Sequence, residues 1–203
     1  MAEAKPVVFV VDDDQGVRES VKILLRSIGV DAETFPSGDD FLEKSDPNRP
    51  GCIVLDVRMP GMSGLELQER LVSMGCTLPI IFVTAHGDVP MAVEAVKAGA
   101  LDFVQKPFRD QELIDKIQEA FAENEKTRKM LRDRGQINER IASLTPRERE
   151  VMDMVVDGKA NKVIAIDLGL SQRTVEIHRA RVMSKMAADS VAQLVQLVVR
   201  ARE

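Results

Sequence analysis

The sequence contains no tryptophan and no tyrosine, and it has only two cysteines among 203 residues. Without these two aromatics, the chain lacks the usual platforms on which proteins stack single-stranded bases. Cys52 and Cys76 lie in apolar surroundings, without the CxxC or Cys/His spacing of metal sites. They therefore predict buried free thiols rather than a disulfide framework or a metal site.

Long apolar runs are also missing, since none approaches the roughly 18 residues that a membrane-spanning helix needs. The first residues, MAEAKPVVFVVDDD, have a short apolar stretch that ends in three carboxylates. This is not the pattern of a secretory signal. We therefore expect a cytoplasmic protein with no membrane partner.

The acidic excess is unevenly spread along the chain. The formal net charge is −5, which alone argues against non-specific binding to nucleic acid. Residues 1–144 carry 18 basic and 25 acidic side chains, whereas residues 145–203 carry 10 and 8. This asymmetry predicts an acidic module joined to a mildly basic one.

The first 108 residues alternate short β-branched runs with amphipathic stretches. Several runs are apolar without alternation, which is typical of parallel strands covered on both faces. A helix follows the first strand, and a later one is predicted over 89–98, ended by Gly99. This alternation predicts a flavodoxin-like α/β domain of five strand–helix units. The predicted strands are 7–11, 32–35, 52–55, 80–84 and 101–105.

From Asp110 to about Leu144 the sequence is highly charged and contains no proline. Its first part carries an apolar stripe that can pack on the sheet, and the stripe then thins. The pattern predicts a long helix leaving the first domain. A short coiled coil is an alternative, although sustained heptads are missing.

The last sixty residues are helical in pattern throughout. Thr145, Pro146 and Glu148 form a capping box with proline at the first helical position. Asn161 is placed to cap the next helix, and Ser171 the third. Four short helices with a glycine turn before the third predict an all-α helix-turn-helix domain. The predicted domains are 1–124, a helical linker at 125–143, and 144–203.

Polar side chains stand at the ends of four predicted strands. Asp12 and Asp13 follow the first strand, and Asp56 ends the third. Thr84 ends the fourth, and Lys106 lies just past the fifth. Because parallel strands point the same way, these residues converge on the edge where ligands bind.

Carboxylates brought together repel each other unless a cation joins them, and oxygen-only ligands favour Mg²⁺. We expect Asp13 and Asp56 to coordinate directly, Asp12 through water, and the Arg58 carbonyl to add a backbone ligand. Asp56 then becomes a plausible nucleophile toward a phosphoryl group. Lys106 supplies a positive charge to a phosphate oxygen.

The stretches VVDDD, VLDVRMPGMSG and FVTAHGDVPMAVEAVKAGALDFVQKPF together resemble a response-regulator receiver, over about residues 5–124. The resemblance implies Asp56 as phosphoacceptor, Thr84 as switch hydroxyl and a cis Lys106–Pro107 bond. Phe103 corresponds to the switch aromatic, with an ordinary core phenylalanine as the alternative. His86 is either a residue that tunes dephosphorylation or a solvated loop histidine.

The receiver resemblance also implies a mechanism and partners. A sensor histidine kinase donates the phosphoryl group, and the receiver catalyses only its own phosphorylation and dephosphorylation, so it is not otherwise an enzyme. Phosphorylation remodels the surface formed by the 89–98 helix and the fifth strand, where the family commonly forms homodimers. Phosphorylation can shift the equilibrium toward this remodelled surface because only the phosphorylated state gains the new contacts.

The stretch LTPREREVMDMVVDGKANKVIAIDLGLSQRTVEIHRARVMSKM resembles the output domain of the FixJ/NarL/LuxR group, and the FixJ subgroup most closely. Its third helix is expected to enter the major groove of double-stranded DNA, with His178 packed in the core. Val191, Leu194, Val195 and Val198 either dimerise the domain or close its core. The expected DNA-contacting residues are Gln172, Arg173, Thr174, Glu176, Ile177, Arg179, Ala180, Arg181 and Lys185.

The favoured function is a two-component response regulator that binds DNA as a phosphorylated dimer and activates transcription by RNA polymerase. One alternative is a phosphohydrolase with an aspartyl-phosphate intermediate. That class has a second carboxylate two residues after its nucleophile, where this chain has Arg58, and this difference weakens the phosphohydrolase alternative. The other alternative is a DNA-binding regulator that works without phosphorylation.

Overall fold

The computed structural model describes residues 5–85, 93 and 96–202. The chain divides into two compact units, residues 1–128 and 129–203, which we treat separately. The predicted 89–98 helix lies largely outside the described residues, and so does His86.

The first unit is a five-stranded parallel sheet in the order β2-β1-β3-β4-β5. Helices cover both of its faces, which confirms the flavodoxin-like α/β prediction. The described elements are β1 (Val7–Val11), α1 (Gln15–Ser27), β2 (Asp31–Phe35), α2 (Gly38–Lys44), β3 (Gly51–Asp56), α3 (Gly64–Ser73), β4 (Ile80–Thr84), β5 (Asp102–Gln105) and the start of α4 (Asp110–Ala142).

The central strands are buried on both faces because their side chains feed two apolar cores. Phe9 and Phe82 belong to one core, together with residues of α2 and α3. Val8 and Ile81, their sequence neighbours, belong to the other, with residues of α1 and α4. The uninterrupted apolar runs in the sequence reflect this double coverage.

Helix α2 is implied by the five strand–helix units, but no sequence pattern located its residues. It has seven residues, too few for helical periodicity to show, and it buries Phe41 completely. The Ser37 hydroxyl caps it by accepting a hydrogen bond from the Asp40 amide at 3.1 Å.

Helix α4 confirms the predicted long helix. Its first turns pack on the sheet through Leu113, Ile117 and Ala120. The buried amide of Asn124 then accepts a hydrogen bond from the Gly51 N–H at 3.1 Å and donates one to the Thr77 carbonyl at 3.3 Å. Residues 129–136 are all exposed.

The second unit contains the end of α4 and four further helices, which confirms the helix-turn-helix prediction. A single core joins them, including Val151, Ile164, Val175 and Leu194. The helices are α5 (Pro146–Val156), α6 (Asn161–Leu168), α7 (Gln172–Met186) and α8 (Val191–Arg202).

Two of the three predicted caps are confirmed. Thr145 and Glu148 form both halves of a capping box, and the Ser171 hydroxyl accepts from the Thr174 amide at 3.1 Å. The prediction for Asn161 is wrong: Ala160 is the N-cap residue of α6, without a side-chain cap. The amide oxygen of Asn161 instead accepts a hydrogen bond from Arg179 at 2.6 Å.

Helix α8 closes the core of the second unit. Leu194 and Val198 are fully buried, whereas Val191 is 39% exposed and Val195 is half-buried. The core interpretation is therefore confirmed for Leu194 and Val198, and self-association through the exposed side of α8 stays a prediction.

Both cysteines are free thiols, as predicted, with Cys52 buried and Cys76 half-buried. Burial raises the pKa of both thiols. Among the described residues, no single helix is long and apolar enough to cross a membrane. One bent pair, α7 with α8, passes that test by length and composition only.

Candidate functional site: a carboxylate–lysine rim and an exposed helix face

The centre of the site in the first unit is the side chain of Lys106. Its ammonium donates hydrogen bonds to Asp56 Oδ1 at 2.6 Å and to Asp12 Oδ2 at 2.7 Å. Both carboxylates are almost fully buried, whereas the Lys106 side chain keeps 23% of its surface exposed. Three of the predicted site residues, from the ends of β1, β3 and β5, therefore meet at one rim of the sheet.

Backbone groups fix the orientation of both carboxylates. The Arg58 amide donates to Asp56 Oδ2 at 2.7 Å, and the Asp14 amide donates to Asp12 Oδ1 at 2.9 Å. The Arg18 guanidinium also donates to the Asp12 carbonyl at 2.6 Å. Since every one of these contacts is local in sequence, the rim is organised by the strand ends themselves. The supporting role of Arg18 was not predicted.

Burial and charge act in opposite directions on the two partners. Burial raises the pKa of the Asp56 carboxyl, and the nearby Lys106 offsets only part of that effect. For Lys106, burial lowers the pKa, but the hydrogen bonds that its ammonium donates to Asp12 and Asp56, together with their negative charges, outweigh that effect, and the net shift is upward. Asp56 is thus a poorly solvated carboxylate beside a firmly protonated amine, which suits a nucleophile whose product carries negative charge.

Thr84 lies on the strand next to Asp56. Asp56 is paired with Val83 in the sheet register, so Thr84 stands one residue beyond it, and its residue surface is 2% exposed. The Lys106 amide donates to the Thr84 carbonyl at 2.7 Å, which ties the two predicted residues together. The Lys106–Pro107 bond is cis, as predicted.

The three predicted carboxylates do not form one cluster in the part of the chain that the structure describes, where no three acidic, histidine or cysteine side chains gather as a metal site. Asp13 is exposed, while Asp12 and Asp56 share the Lys106 ammonium. Two carboxylate oxygens thus already surround one positive charge. The donors are all oxygens, a chemistry that fits Mg²⁺.

Gly64 has a role at this rim that the sequence did not reveal. A Cβ atom at this position would stand 2.2 Å from the Asp56 carbonyl oxygen. The first turn of α3 can therefore approach the end of β3 only because this residue has no side chain. A glycine shortly after a strand-end aspartate was the available signal, but an ordinary turn explains it equally well.

Phe103 is paired with Phe82 across the last two strands and is half-buried against the core beneath α2 and α3. This position is compatible with both interpretations offered by the sequence. Its role as a switch residue stays a prediction.

In the second unit, α7 presents an exposed face bearing most of the predicted DNA-contacting residues. Val175, Val182 and Met186 are buried on its opposite side, as expected. His178 is half-buried, and its Nδ1 atom is buried without a hydrogen-bond partner among the described residues, in keeping with a packed histidine. The exposed predicted residues are Gln172, Arg173, Glu176, Ile177, Ala180, Arg181 and Lys185.

Three of the predicted DNA-contacting residues have partners within the unit. The Thr174 hydroxyl lies 2.8 Å from that of Ser171, and Arg179 donates to Asn161 at 2.6 Å. The Lys185 ammonium donates to Glu148 at 2.7 Å. Hence α7 offers two kinds of charged side chain, some engaged within the domain and some directed to solvent.

Two family models match this chain, one over each unit. The response regulator receiver domain matches residues 8–118, and the luxR family of bacterial regulatory proteins matches residues 142–198. The order of these matches agrees with the α/β unit followed by the helical unit.

Similar proteins match this chain over almost their whole length. The transcriptional regulatory protein FixJ of Azorhizobium caulinodans is 46% identical over 99% of this chain and 95% of its own. Nodulation protein W of Bradyrhizobium diazoefficiens is 44% identical over 97% of this chain and 86% of its own. The relatives that are named as transcriptional regulatory or response regulator proteins, FixJ and TodT among them, count against the phosphohydrolase alternative.

Solved structures of similar proteins also match this chain over almost its whole length. The response regulator StyR is 48% identical, with a TM-score of 0.86 over 97% of this chain and 100% of that one. Full-length FixJ from B. japonicum is 43% identical, with a TM-score of 0.61 over 98% of both chains. Taken with the carboxylate–lysine rim and the exposed face of α7, these matches show that the chain belongs to the FixJ-like response regulators, which join a receiver to a LuxR-type DNA-binding domain.

Proposed function

We propose that Asp56 accepts a phosphoryl group from the phosphohistidine of a sensor histidine kinase, in a reaction that depends on Mg²⁺. The observation that carries this proposal is the position of the Lys106 ammonium, 2.6 Å from Asp56 and 2.7 Å from Asp12. A buried carboxylate beside a fixed cation matches the charge that develops during phosphoryl transfer.

In the proposed step, a carboxylate oxygen of Asp56 attacks phosphorus. The new P–O bond forms while the P–N bond to the donor imidazole breaks, and the imidazole leaves. The Arg58 amide holds the carboxylate in place. Lys106 exchanges part of its contact with Asp56 for a phosphoryl oxygen, and the Thr84 hydroxyl donates to another.

The residues proposed to hold Mg²⁺ are Asp13 and Asp56 directly, Asp12 through water and Arg58 through its carbonyl. Bound there, the ion would offset the negative charge that the phosphoryl group and the carboxylates bring together. The exposed position of Asp13 leaves its carboxylate available to an ion arriving from solvent.

The test of this half of the proposal is labelling of the full chain with acetyl phosphate and Mg²⁺, followed by intact mass. We expect Asp56→Asn to keep its fold and to lose all labelling, and EDTA to prevent labelling of the wild type. Asp39→Asn, which changes an exposed carboxylate, serves as the matched control and should label normally. Phosphate retained by Asp56→Asn would refute the assignment.

Phosphorylation is proposed to change the assembly state. A phosphoryl group held by Thr84 and Lys106 would let Phe103 rotate and so remodel the surface of β5 and the 89–98 segment, through which two chains associate. We expect light scattering to show a dimer for the labelled wild type and a monomer for Asp56→Asn. A labelled chain that remains monomeric would contradict this part.

The second unit is proposed to read double-stranded DNA through the exposed face of α7, and the chain to activate transcription by RNA polymerase in the cytoplasm. Arg173 and Arg181 support this proposal because both are exposed. In the described part of the chain, neither guanidinium has a hydrogen-bond or ion-pair partner. Binding measured at several salt concentrations tests it, since contacts to phosphates weaken as salt rises.

In vitro transcription from a promoter to which the chain binds, with and without acetyl phosphate, tests whether the chain activates or represses transcription. We expect more transcript from the labelled chain. Equal binding and equal transcript for the wild type and Asp56→Asn would instead favour the regulator that works without phosphorylation.

A further inference from the structure

The C-terminal end of α7 is tied to two other elements of the second unit. Lys185 donates to Glu148 Oε2 at 2.7 Å and to the Ser143 carbonyl at 3.0 Å. Arg140 donates to the Met186 carbonyl at 3.2 Å. We call these residues, Arg140, Ser143, Glu148, Lys185 and Met186, the clasp. It joins the end of α7 to the end of α4 and the beginning of α5.

The acidic partner in the clasp is a fully charged, buried side chain. Glu148 is 3% exposed, and its carboxylate also accepts a hydrogen bond from the Thr145 amide at 2.9 Å. The hydrogen bond from Lys185, followed by that from Thr145, lowers the pKa of Glu148 to about 2. A buried charge that loses its partner is strongly destabilising. A DNA phosphate would have to draw Lys185 away against that cost.

The apolar side chains beneath the clasp strengthen the same connection. Ile137 and Leu144, at the end of α4 and just beyond it, are buried in the core that contains Val182 and Met186 of α7. The end of α4 therefore supports α7 through both apolar and polar contacts.

Arg181 lies one turn before Lys185 on the same helix and is engaged differently. Its side chain is exposed, and within the described residues its guanidinium has no hydrogen-bond or ion-pair partner. A phosphate or a guanine edge can therefore reach Arg181 without breaking a contact inside the domain.

We infer that Lys185 is a positioning residue, which holds the end of α7 against α4 and α5 through Glu148 and Ser143 and does not bind a DNA phosphate. This inference rests on the proposed DNA-reading role of α7, and it differs from the sequence prediction for Lys185. The angle of α7 decides which side chains reach base edges. Loss of the clasp therefore reduces recognition of a sequence, not attraction to the phosphate backbone.

The experiment uses the full chain and two duplexes, one enriched from a random pool by the wild type and one of mixed sequence. Affinity for each is measured at several salt concentrations. We expect Lys185→Gln to lose roughly tenfold affinity for the enriched duplex, about the value of one base contact. Its affinity for the mixed duplex and its salt dependence should stay at the wild-type values, and Lys185→Arg should recover part of the loss.

Arg181→Gln is the matched control for a residue that contacts DNA directly. It should weaken binding to both duplexes and reduce the slope of log affinity against log salt by about one. If Arg181→Gln changes neither affinity, the proposed DNA face is itself wrong and the inference falls with it. If Arg181→Gln weakens binding and Lys185→Gln changes neither affinity, the proposed DNA face stands and only the inference about Lys185 is wrong.

Two outcomes for Lys185→Gln would overturn the inference directly. An equal loss on both duplexes, with a slope reduced by about one, makes Lys185 a phosphate ligand. A lower melting temperature with unchanged affinity for both duplexes makes the clasp merely structural.

A second variant keeps the test decisive if Lys185→Gln does not fold. Arg140→Gln removes another contact of the clasp without leaving a buried charge unpaired, and it should show the same selective loss on the enriched duplex. Glu148→Gln combined with Lys185→Gln should lose no more affinity than either alone, because both act through one contact. Additive losses would contradict the shared role.

Discussion

The receiver buries Asp56 beside Lys106, and the DNA-binding unit buries Glu148 beside Lys185. Both carboxylates have little exposed surface, at 7% and 3%, but Asp56 is enclosed more deeply by the protein, and their pKa values move in opposite directions. Burial raises the pKa of Asp56, whereas hydrogen bonds from Lys185 and Thr145 lower that of Glu148 to about 2.

The depth of burial and the hydrogen bonds at each carboxylate together set its pKa. Asp56 stands at an open strand end, where its solvation is incomplete and a phosphoryl group can approach. Glu148 is held by the capping box and by Lys185, so its carboxylate is hydrogen-bonded and ion-paired within the domain. The first arrangement favours reaction, and the second favours rigidity.

The largest stability effect is expected where α8 meets the core of the DNA-binding unit. Leu194→Ala removes a side chain that is completely buried and should cost about 2–5 kcal/mol of unfolding free energy. Val191→Ala, on the partly exposed side of the same helix, should stay within about 0.5 kcal/mol. Urea unfolding followed by circular dichroism measures both. Equal losses would show that Val191 is as important to the core as Leu194.

Acid unfolding sharpens the contrast between the two carboxylates. Glu148 has a folded pKa of about 2 against an ordinary 4.5, so its contribution to stability is complete above pH 4.5 and is lost as pH falls toward 2. Glu148→Gln should destabilise the DNA-binding unit at neutral pH and flatten its stability profile over that acidic range. Hydrogen exchange resolved by peptide assigns the change to this unit.

The matched control for this variant is Glu150→Gln. Glu150 pairs with Arg147 at the surface, with both side chains about half exposed, so its loss should cost less than about 1 kcal/mol. An acid profile of Glu148→Gln that matches the wild type would show that the clasp does not hold the charge of Glu148.

A smaller effect is expected from crowding the receiver rim. Gly64→Ala places a methyl group against the Asp56 carbonyl and should cost about 1–3 kcal/mol, since overpacking forces the backbone to shift. Labelling by acetyl phosphate should slow in the same variant, because the end of β3 carries the nucleophile. Gly135→Ala, with open space around the new atom, should be neutral or stabilising. Normal labelling of Gly64→Ala would show that the rim tolerates the shift.

The smallest effects concern the helix starts of the DNA-binding unit. Ser171→Ala removes the cap of α7 and should cost about 1 kcal/mol, whereas Ala160→Ser offers α6 a cap that it lacks and should stabilise it. Thermal unfolding of the two variants gives opposite shifts in melting temperature. Shifts of the same sign would mean that these caps do not control the stability of the helices.

The receiver rim could be predicted from the sequence because its chemistry lies at strand ends. Unbroken β-branched runs locate the strands, and parallel strands bring Asp12, Asp56 and Lys106 to one edge whatever the details of packing. The close approach at Gly64 was not predictable, since it depends on the path of the following helix.

Helix α7 could be located from the sequence, but the partners of its charged side chains could not be predicted. Its cap and its buried stripe follow from local patterns, and both are confirmed. The partners of Arg179 and Lys185 lie 18 and 37 residues away in sequence, on other helices. A helical pattern gives the direction of a side chain, but it does not reveal which distant group meets it there.

Residues 129–136 of α4 are all exposed, between Arg128, which donates to the Asn48 carbonyl, and the buried Ile137. These eight exposed residues belong to neither of the apolar cores that α4 joins on its two sides, so burial stabilises the helix less here than at either end. Gly135 weakens the segment further. Transient unwinding there would expose Lys129 and Arg134 to trypsin, so limited digestion is expected to separate the chain into two resistant fragments.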